Sequence, residues 1–235
     1  MRRVLAALTL VGLTAFGDTA GHGYFWDDSN LLPHFPIKEA YPYGPAVLVE
    51  YLESTGTQYI DLEIPASTTM QPIFIYFEPR ANEDVYLIGG GDSASAGFGL
   101  RLRGYGNTVI SVGFGWTSIL TYWNRPWGEP PQLIAINGNF LGFNGYWNNG
   151  LSFSATYGQS FYLFARNVGG VASNRCRARI YKAIVGPLYL VPARVGDRGY
   201  MLDMMTGRFY GNSGTGEFAL GPDITYEEEG EGEME

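Results

Sequence analysis

Histidine is almost missing from this chain. The two present, His22 and His34, both precede Pro36. Nothing after Pro36 can supply an imidazole, which removes Ser-His-Asp and Cys-His catalysis and most zinc chemistry from the rest of the sequence. Cysteine occurs once, as Cys176, so no intramolecular disulfide can form. With 235 residues the chain is long enough to hold a core without one. Basic excess is also absent. Of 15 basic and 23 acidic residues, Arg2 and Arg3 stand at the N-terminus and six glutamates fall in 227–235. The body between them keeps 13 basic and 17 acidic side chains, a net charge of −4, which excludes the basic footprint of a nucleic-acid surface.

Aromatic residues make up 15% of the chain, and 33 glycines interrupt it, a pattern that describes short strands joined by tight turns. Arg2 and Arg3 followed by the apolar run Val4 to Leu13 and by Ala15-Phe16-Gly17 read as a signal peptide over residues 1–17. The run is too short to span a bilayer, so membrane insertion of the mature chain is not expected. No cysteine follows it, which excludes a lipoprotein anchor. A buried N-terminal helix or strand is the bland alternative. Residues 18–45 hold Pro33, Pro36, Pro42 and Pro45 among many aromatics and read as an arm that packs on the domain or on a partner. Residues 46–222 form the domain, and 223–235 an acidic disordered tail.

Strand signals start at Ala46. Val47 to Leu52 and Thr57 to Ile64 read as the first two strands. Pro72 to Phe77 is apolar on both faces and reads as central. Val85 to Ile88 runs into Gly89-Gly90-Gly91, taken as a turn. Phe98 to Arg103 alternates cleanly. Val109 to Trp116 follows. Leu133 to Ile136 meets Phe140 to Phe143 in a hairpin across Asn137-Gly138, because Asn-Gly accepts positive φ at both central positions. Phe161 to Ala165, Arg175 to Val185, Leu188 to Val191 and a late hairpin of Tyr200–Asp203 with Arg208–Tyr210 complete about twelve strands. No amphipathic helix is evident. The expectation is an all-β, two-sheet antiparallel jelly-roll sandwich.

The run Val49-Glu-Tyr-Leu-Glu-Ser-Thr-Gly-Thr-Gln-Tyr-Ile-Asp61 resembles the opening of the concanavalin A-like lectin/glucanase (LamG-like jelly-roll) family of bacteria and their phages. The resemblance returns at Leu163-Phe-Ala-Arg-Asn167, Arg175-Cys-Arg-Ala-Arg-Ile-Tyr181 and Val191-Pro-Ala-Arg194. It returns again at Tyr200-Met-Leu-Asp203, Thr206-Gly-Arg-Phe-Tyr210, Gly214-Thr-Gly-Glu-Phe218 and Gly221-Pro222. These segments bracket Val47 to Pro222. The resemblance implies a concanavalin A-like sandwich. It says little about function, because lectins, hydrolases, adhesins and virion proteins share that fold.

Hydrolases of this fold carry Glu-x-Asp-x-x-Glu on one strand, and retaining chemistry needs two carboxylates about 5 Å apart. Asp61 and Glu63 share a face here but lack a third acid, and Glu50 and Glu53 have opposite parity. No catalytic residue is assigned. The candidate binding residues are Trp116, Tyr122, Trp123, Asn124, Trp127, Tyr146 and Trp147. Rings stack on sugar C–H faces and amides bind hydroxyls, although the same rings can fill a sandwich core. No cofactor is implied by the residues themselves. The family resemblance raises a structural calcium ion, for which Asp84, Asp92 and Asn107, with Asn82 nearby, offer oxygen donors; ordinary turn roles are the simpler reading. Arg175, Arg177 and Arg179 alternate opposite Cys176, Ala178 and Ile180. They form either a solvated strand face or an anion and acidic-glycan stripe. Cys176 reads as a small buried hydrophobe.

Together these features predict a non-enzymatic glycan-binding or adhesion module, secreted, periplasmic or at the cell surface, whose partners are glycans or a surface protein. A structural or appendage protein of a phage particle or surface assembly is the alternative. A glycoside hydrolase comes third.

Overall fold

The computed structural model describes residues 46–67, 72–81, 83–103, 108–114, 117–123, 132–137, 140–143, 146–149 and 155–224. The proposed signal peptide, the arm and the acidic stretch beyond residue 224 lie outside the described residues, as do Asn82, Asn107, Trp116, Asn124 and Trp127. Nineteen strands and no helix are found among the described residues.

In chain order these are β1 (Val47–Leu48), β2 (Leu52–Thr55), β3 (Ile60–Ser67), β4 (Ile73–Pro79), β5 (Val85–Gly91), β6 (Phe98–Arg103), β7 (Thr108–Phe114) and β8 (Thr117–Trp123). There follow β9 (Gln132–Asn137), β10 (Phe140–Phe143), β11 (Tyr146–Asn149), β12 (Thr156–Leu163), β13 (Arg166–Val168) and β14 (Val171–Ser173). The series ends with β15 (Arg177–Val185), β16 (Leu188–Val195), β17 (Arg198–Asp203), β18 (Phe209–Tyr210) and β19 (Ala219–Leu220).

Two sheets pack as a sandwich. The eleven-stranded sheet runs β11-β10-β9-β4-β15-β16-β17-β18, with β1 on β16 and β2 between β15 and β19. The eight-stranded sheet runs β14-β13-β5-β6-β7-β8, with β12 joining β3 to β5. Every pairing is antiparallel except β13 on β5, where Arg166 faces Gly89 in parallel register.

The core forms because both inner faces obey the period of two. In β4, Ile73, Ile75 and Phe77 are buried while Phe74, Tyr76 and Glu78 are half-exposed. Across the sandwich, Ile60 and Leu62 of β3 join Phe98, Leu100 and Leu102 of β6 and Phe161 and Leu163 of β12 in the same cluster. Fully buried Phe77, Phe98, Phe161 and Phe164 each contribute roughly 1.5–3 kcal/mol by removing apolar area from water. β4 lies between β9 and β15, the central place its apolar sequence predicts, although its outer face is half-exposed rather than buried.

Some local expectations are corrected. Gly89-Gly90-Gly91 is not a turn but the second half of β5. Its glycines serve close backbone approach. A Cβ on Gly90 would lie 2.5 Å from the Ser160 carbonyl oxygen, and one on Gly91 would lie 2.2 Å from that of Ala96. The hairpin between β9 and β10 forms, but Asn137 pairs with Phe140. Asn137 is thus a paired residue of β9 and not a central turn residue. The first predicted strand breaks at Glu50–Tyr51, the strand read over Val109 to Trp116 corresponds to β7, and β8 follows it as a strand that was not expected.

Candidate functional site

The candidate aromatic residues that fall among the described residues divide between the two sheets. Tyr122 and Trp123 end β8, the terminal strand of the smaller sheet, opposite Val109 and Thr108. Tyr146 and Trp147 open β11, the terminal strand of the larger sheet, opposite Phe143 and Gly142.

The weak metal candidates are engaged elsewhere. Asp84 makes a two-pronged ion pair with Arg101. Asp92 Oδ1 accepts the Gly158 amide at 2.8 Å. Among the described residues no group of three or more His, Cys, Asp or Glu side chains is placed to hold a metal ion.

The carboxylates singled out by their strand position are committed in the same way. Asp61 Oδ1 accepts the backbone amide of Glu63 at 2.8 Å. Glu63 takes a left-handed φ of 56° and pairs with Arg208. Burial alternates through Ile60, Asp61, Leu62 and Glu63, so both acids lie on the outward side of β3, and the left-handed Glu63 breaks the alternation beyond it.

An acidic pair does meet elsewhere. β15 lies between β2 and β4, with Arg179 opposite both Glu53 and Glu78. Arg179 Nε donates to Glu53 at 2.6 Å and its Nη1 to Glu78 at 3.2 Å. Arg80 bonds Glu78 at 2.8 Å and lies 3.7 Å from Glu53. Two acids and two guanidiniums thus form a neutral ring on the outer face of the larger sheet. Tyr51 packs under Arg179 at 4.2 Å and meets Tyr181 edge-on. The Tyr181 hydroxyl donates to Glu78 at 3.0 Å.

Burial pushes the Glu78 carboxyl up, but the Tyr181 and Arg80 hydrogen bonds and the Arg179 and Arg80 charges outweigh it and hold it below its ordinary value. Burial and the bond to Glu78 push the Tyr181 hydroxyl up to about 12. The Glu53 hydrogen bond leads in holding the Arg179 guanidinium protonated. Sequence reasoning picked out Arg179 but not Glu78 or Arg80, because nothing local marks an acid as the partner of an arginine 101 positions away.

Three of the segments that carry the family resemblance, around Gln58, Phe164 and Phe218, meet at one corner. Gln58, almost fully buried, is the tie. Its Oε1 accepts from Thr55 N at 2.9 Å and from Ser54 Oγ at 3.2 Å, and its Nε2 donates to the Glu217 carbonyl at 2.9 Å. Gly214 lies so close that a Cβ there would sit 2.2 Å from the Thr57 oxygen. Phe164 and Phe218 pack at 5.3 Å. Asp203 organises the turn between β17 and β18. It is fully buried, accepts from the Tyr189 and Met205 amides, and takes the Thr206 hydroxyl.

Beside this corner, Tyr59 stacks on Tyr162 with ring centroids 4.8 Å apart, and the Arg175 guanidinium lies 5.6 Å from the Tyr59 ring. Tyr59 is clamped by its backbone, donating to Asn212 Oδ1 and accepting from Ser213 N at 2.8 Å.

Comparison with models of known protein families and with curated proteins finds no match to this chain.

Proposed function

We propose that the chain is a concanavalin A-like jelly-roll recognition module that binds glycans outside the cytoplasm without turning them over. The antiparallel two-sheet sandwich is compatible with that family. The observation that carries the non-catalytic part is the closed ring of Glu53, Arg179, Glu78 and Arg80. Glycoside hydrolysis needs one carboxyl raised so that it can donate a proton and a second carboxylate free to attack or to activate water. Here each acid is bridged by both arginines, and Glu78 is held below its ordinary value rather than above it. The binding part draws on the aromatic and asparagine residues carried by β8, β11 and the segments next to them.

A glycan array on the wild type beside Trp123→Ala and Trp127→Ala tests the reading. Binding that weakens at least tenfold in one of the variants supports it. Binding to no glycan, or identical binding after both substitutions, refutes the aromatic platform. Location is tested separately: N-terminal sequencing of the mature protein starts at Asp18 if the signal peptide is removed and at Met1 if the chain is not exported.

A further inference from the structure

We propose that Arg175, held against the stacked Tyr59–Tyr162 pair, is a recognition cation for an acidic sugar, taking the carboxylate of a uronic acid or a sulfate ester on a glycan. This rests on the glycan-recognition reading and narrows its ligand.

The three alternating arginines have different fates. Arg179 is neutralised by Glu53 and Glu78. Arg177 has Glu83 at 3.6 Å. Arg175 makes no hydrogen bond or ion pair to a described residue, and its Nε is buried without a partner. A planar guanidinium matches the paired oxygens of a carboxylate or sulfate through its two terminal nitrogens.

The surroundings suit the same ligand. Tyr162, only 6% exposed, stacks on Tyr59 at 4.8 Å and backs the ring that carries the Arg175 guanidinium, so the cation is held in one place. The nearby acids are already spent: Asp61 on the Glu63 amide, Glu63 on Arg208 and Glu83 on Arg177. The positive charge of Arg175 therefore stays available to an incoming anion. The positions are also firm, because Tyr59 is pinned by Asn212 and Ser213, and the Cys176 amide next to Arg175 donates to the Phe164 carbonyl at 2.7 Å.

The test uses the full chain on immobilised polygalacturonate (carboxylate), heparin (sulfate), neutral dextran and polyglutamate. It compares wild type with Arg175→Gln, Arg175→Lys and Arg177→Gln, with folding of each checked by near-UV circular dichroism. The wild type is expected to bind polygalacturonate or heparin well above dextran and polyglutamate, and the preferred polymer names the anion. Arg175→Gln is expected to weaken that binding at least tenfold and Arg175→Lys less, because lysine keeps the charge but loses the fork. Arg177→Gln should stay within twofold of wild type. Unchanged binding by both Arg175 variants overturns the proposal, as does equal binding to polyglutamate. If neutral glycans bind on the array while neither acidic polysaccharide does, this inference fails and the recognition reading stands. If no glycan of any kind binds, both fail.

Discussion

Glu78 shows how a single side chain ties distant segments together and leaves a measurable trace. Its folded carboxyl titrates below its unfolded value of 4.5, so its contribution to stability is complete above that pH and is lost as the pH falls through the lower folded value. Wild-type melting temperature is therefore expected to fall on acidification below about 4.5, and Glu78→Gln is expected to flatten that fall while lowering stability at neutral pH. Thermal melts from neutral pH downward check this; parallel curves for the two proteins would contradict it. Tyr181 supplies the alkaline counterpart. Its ultraviolet titration should contain a component near 12 that disappears in Tyr181→Phe.

Cys176 is fully buried, and burial followed by the Glu83 charge pushes its thiol up. It should react with a thiol reagent only as fast as the chain opens. Rapid labelling of the native protein would overturn its placement. That role was legible in the sequence, because alternation with arginines fixes which face a strand residue takes. The ring around Glu78 was not, because its members come from three strands far apart in the chain.

At the level of elements, close approach governs more than turn chemistry does. β5 ends in three glycines because β6, β12 and the segment around Ala96 press against it too closely for a Cβ. Gly90→Ala is expected to cost about 1–3 kcal/mol by overpacking, and Gly214→Ala a similar amount through the Thr57 carbonyl. Denaturant midpoints measure both; a loss under about 0.5 kcal/mol in either would mean the backbone gives way more readily than the contacts imply.

Glycine runs are ambiguous in sequence for this reason. The same residue permits a left-handed turn and a backbone pressed against its neighbour, and only the fold decides between them. Alternating segments such as Phe98–Arg103 were legible almost to the residue, because burial of one face fixes them. The hairpin at residues 137–140 was legible as a pairing but not in register, because Asn137-Gly138-Asn139 offers overlapping turn signals and the strand contacts choose between them. The two-pronged Arg101–Asp84 pair, linking the ends of β5 and β6, had no local signature either.

On the scale of the whole molecule, the sandwich places polar clusters on the outer faces of both sheets, and the two clusters differ in one physical respect. On the larger sheet the charges close on themselves. At the corner beside the smaller sheet, Arg175 lies over Tyr59 and has no hydrogen-bond or ion-pair partner among the described residues. On the proposed reading this surface holds a ligand without transforming it: nothing in the closed ring is poised to give up a proton, and the Arg175 guanidinium grips an anion. The all-β, two-sheet sandwich was legible from composition and alternation, whereas the cluster of Tyr59, Tyr162 and Arg175 was not, because these residues become neighbours only in the folded chain.

Isothermal titration of the wild-type chain with a soluble oligosaccharide that it binds tests recognition without turnover most directly, since one trace records both binding and catalysis. The account predicts discrete, saturating heats that return to baseline, with the sugar recovered intact. A sustained heat flow after each injection, with shortened products, would contradict it.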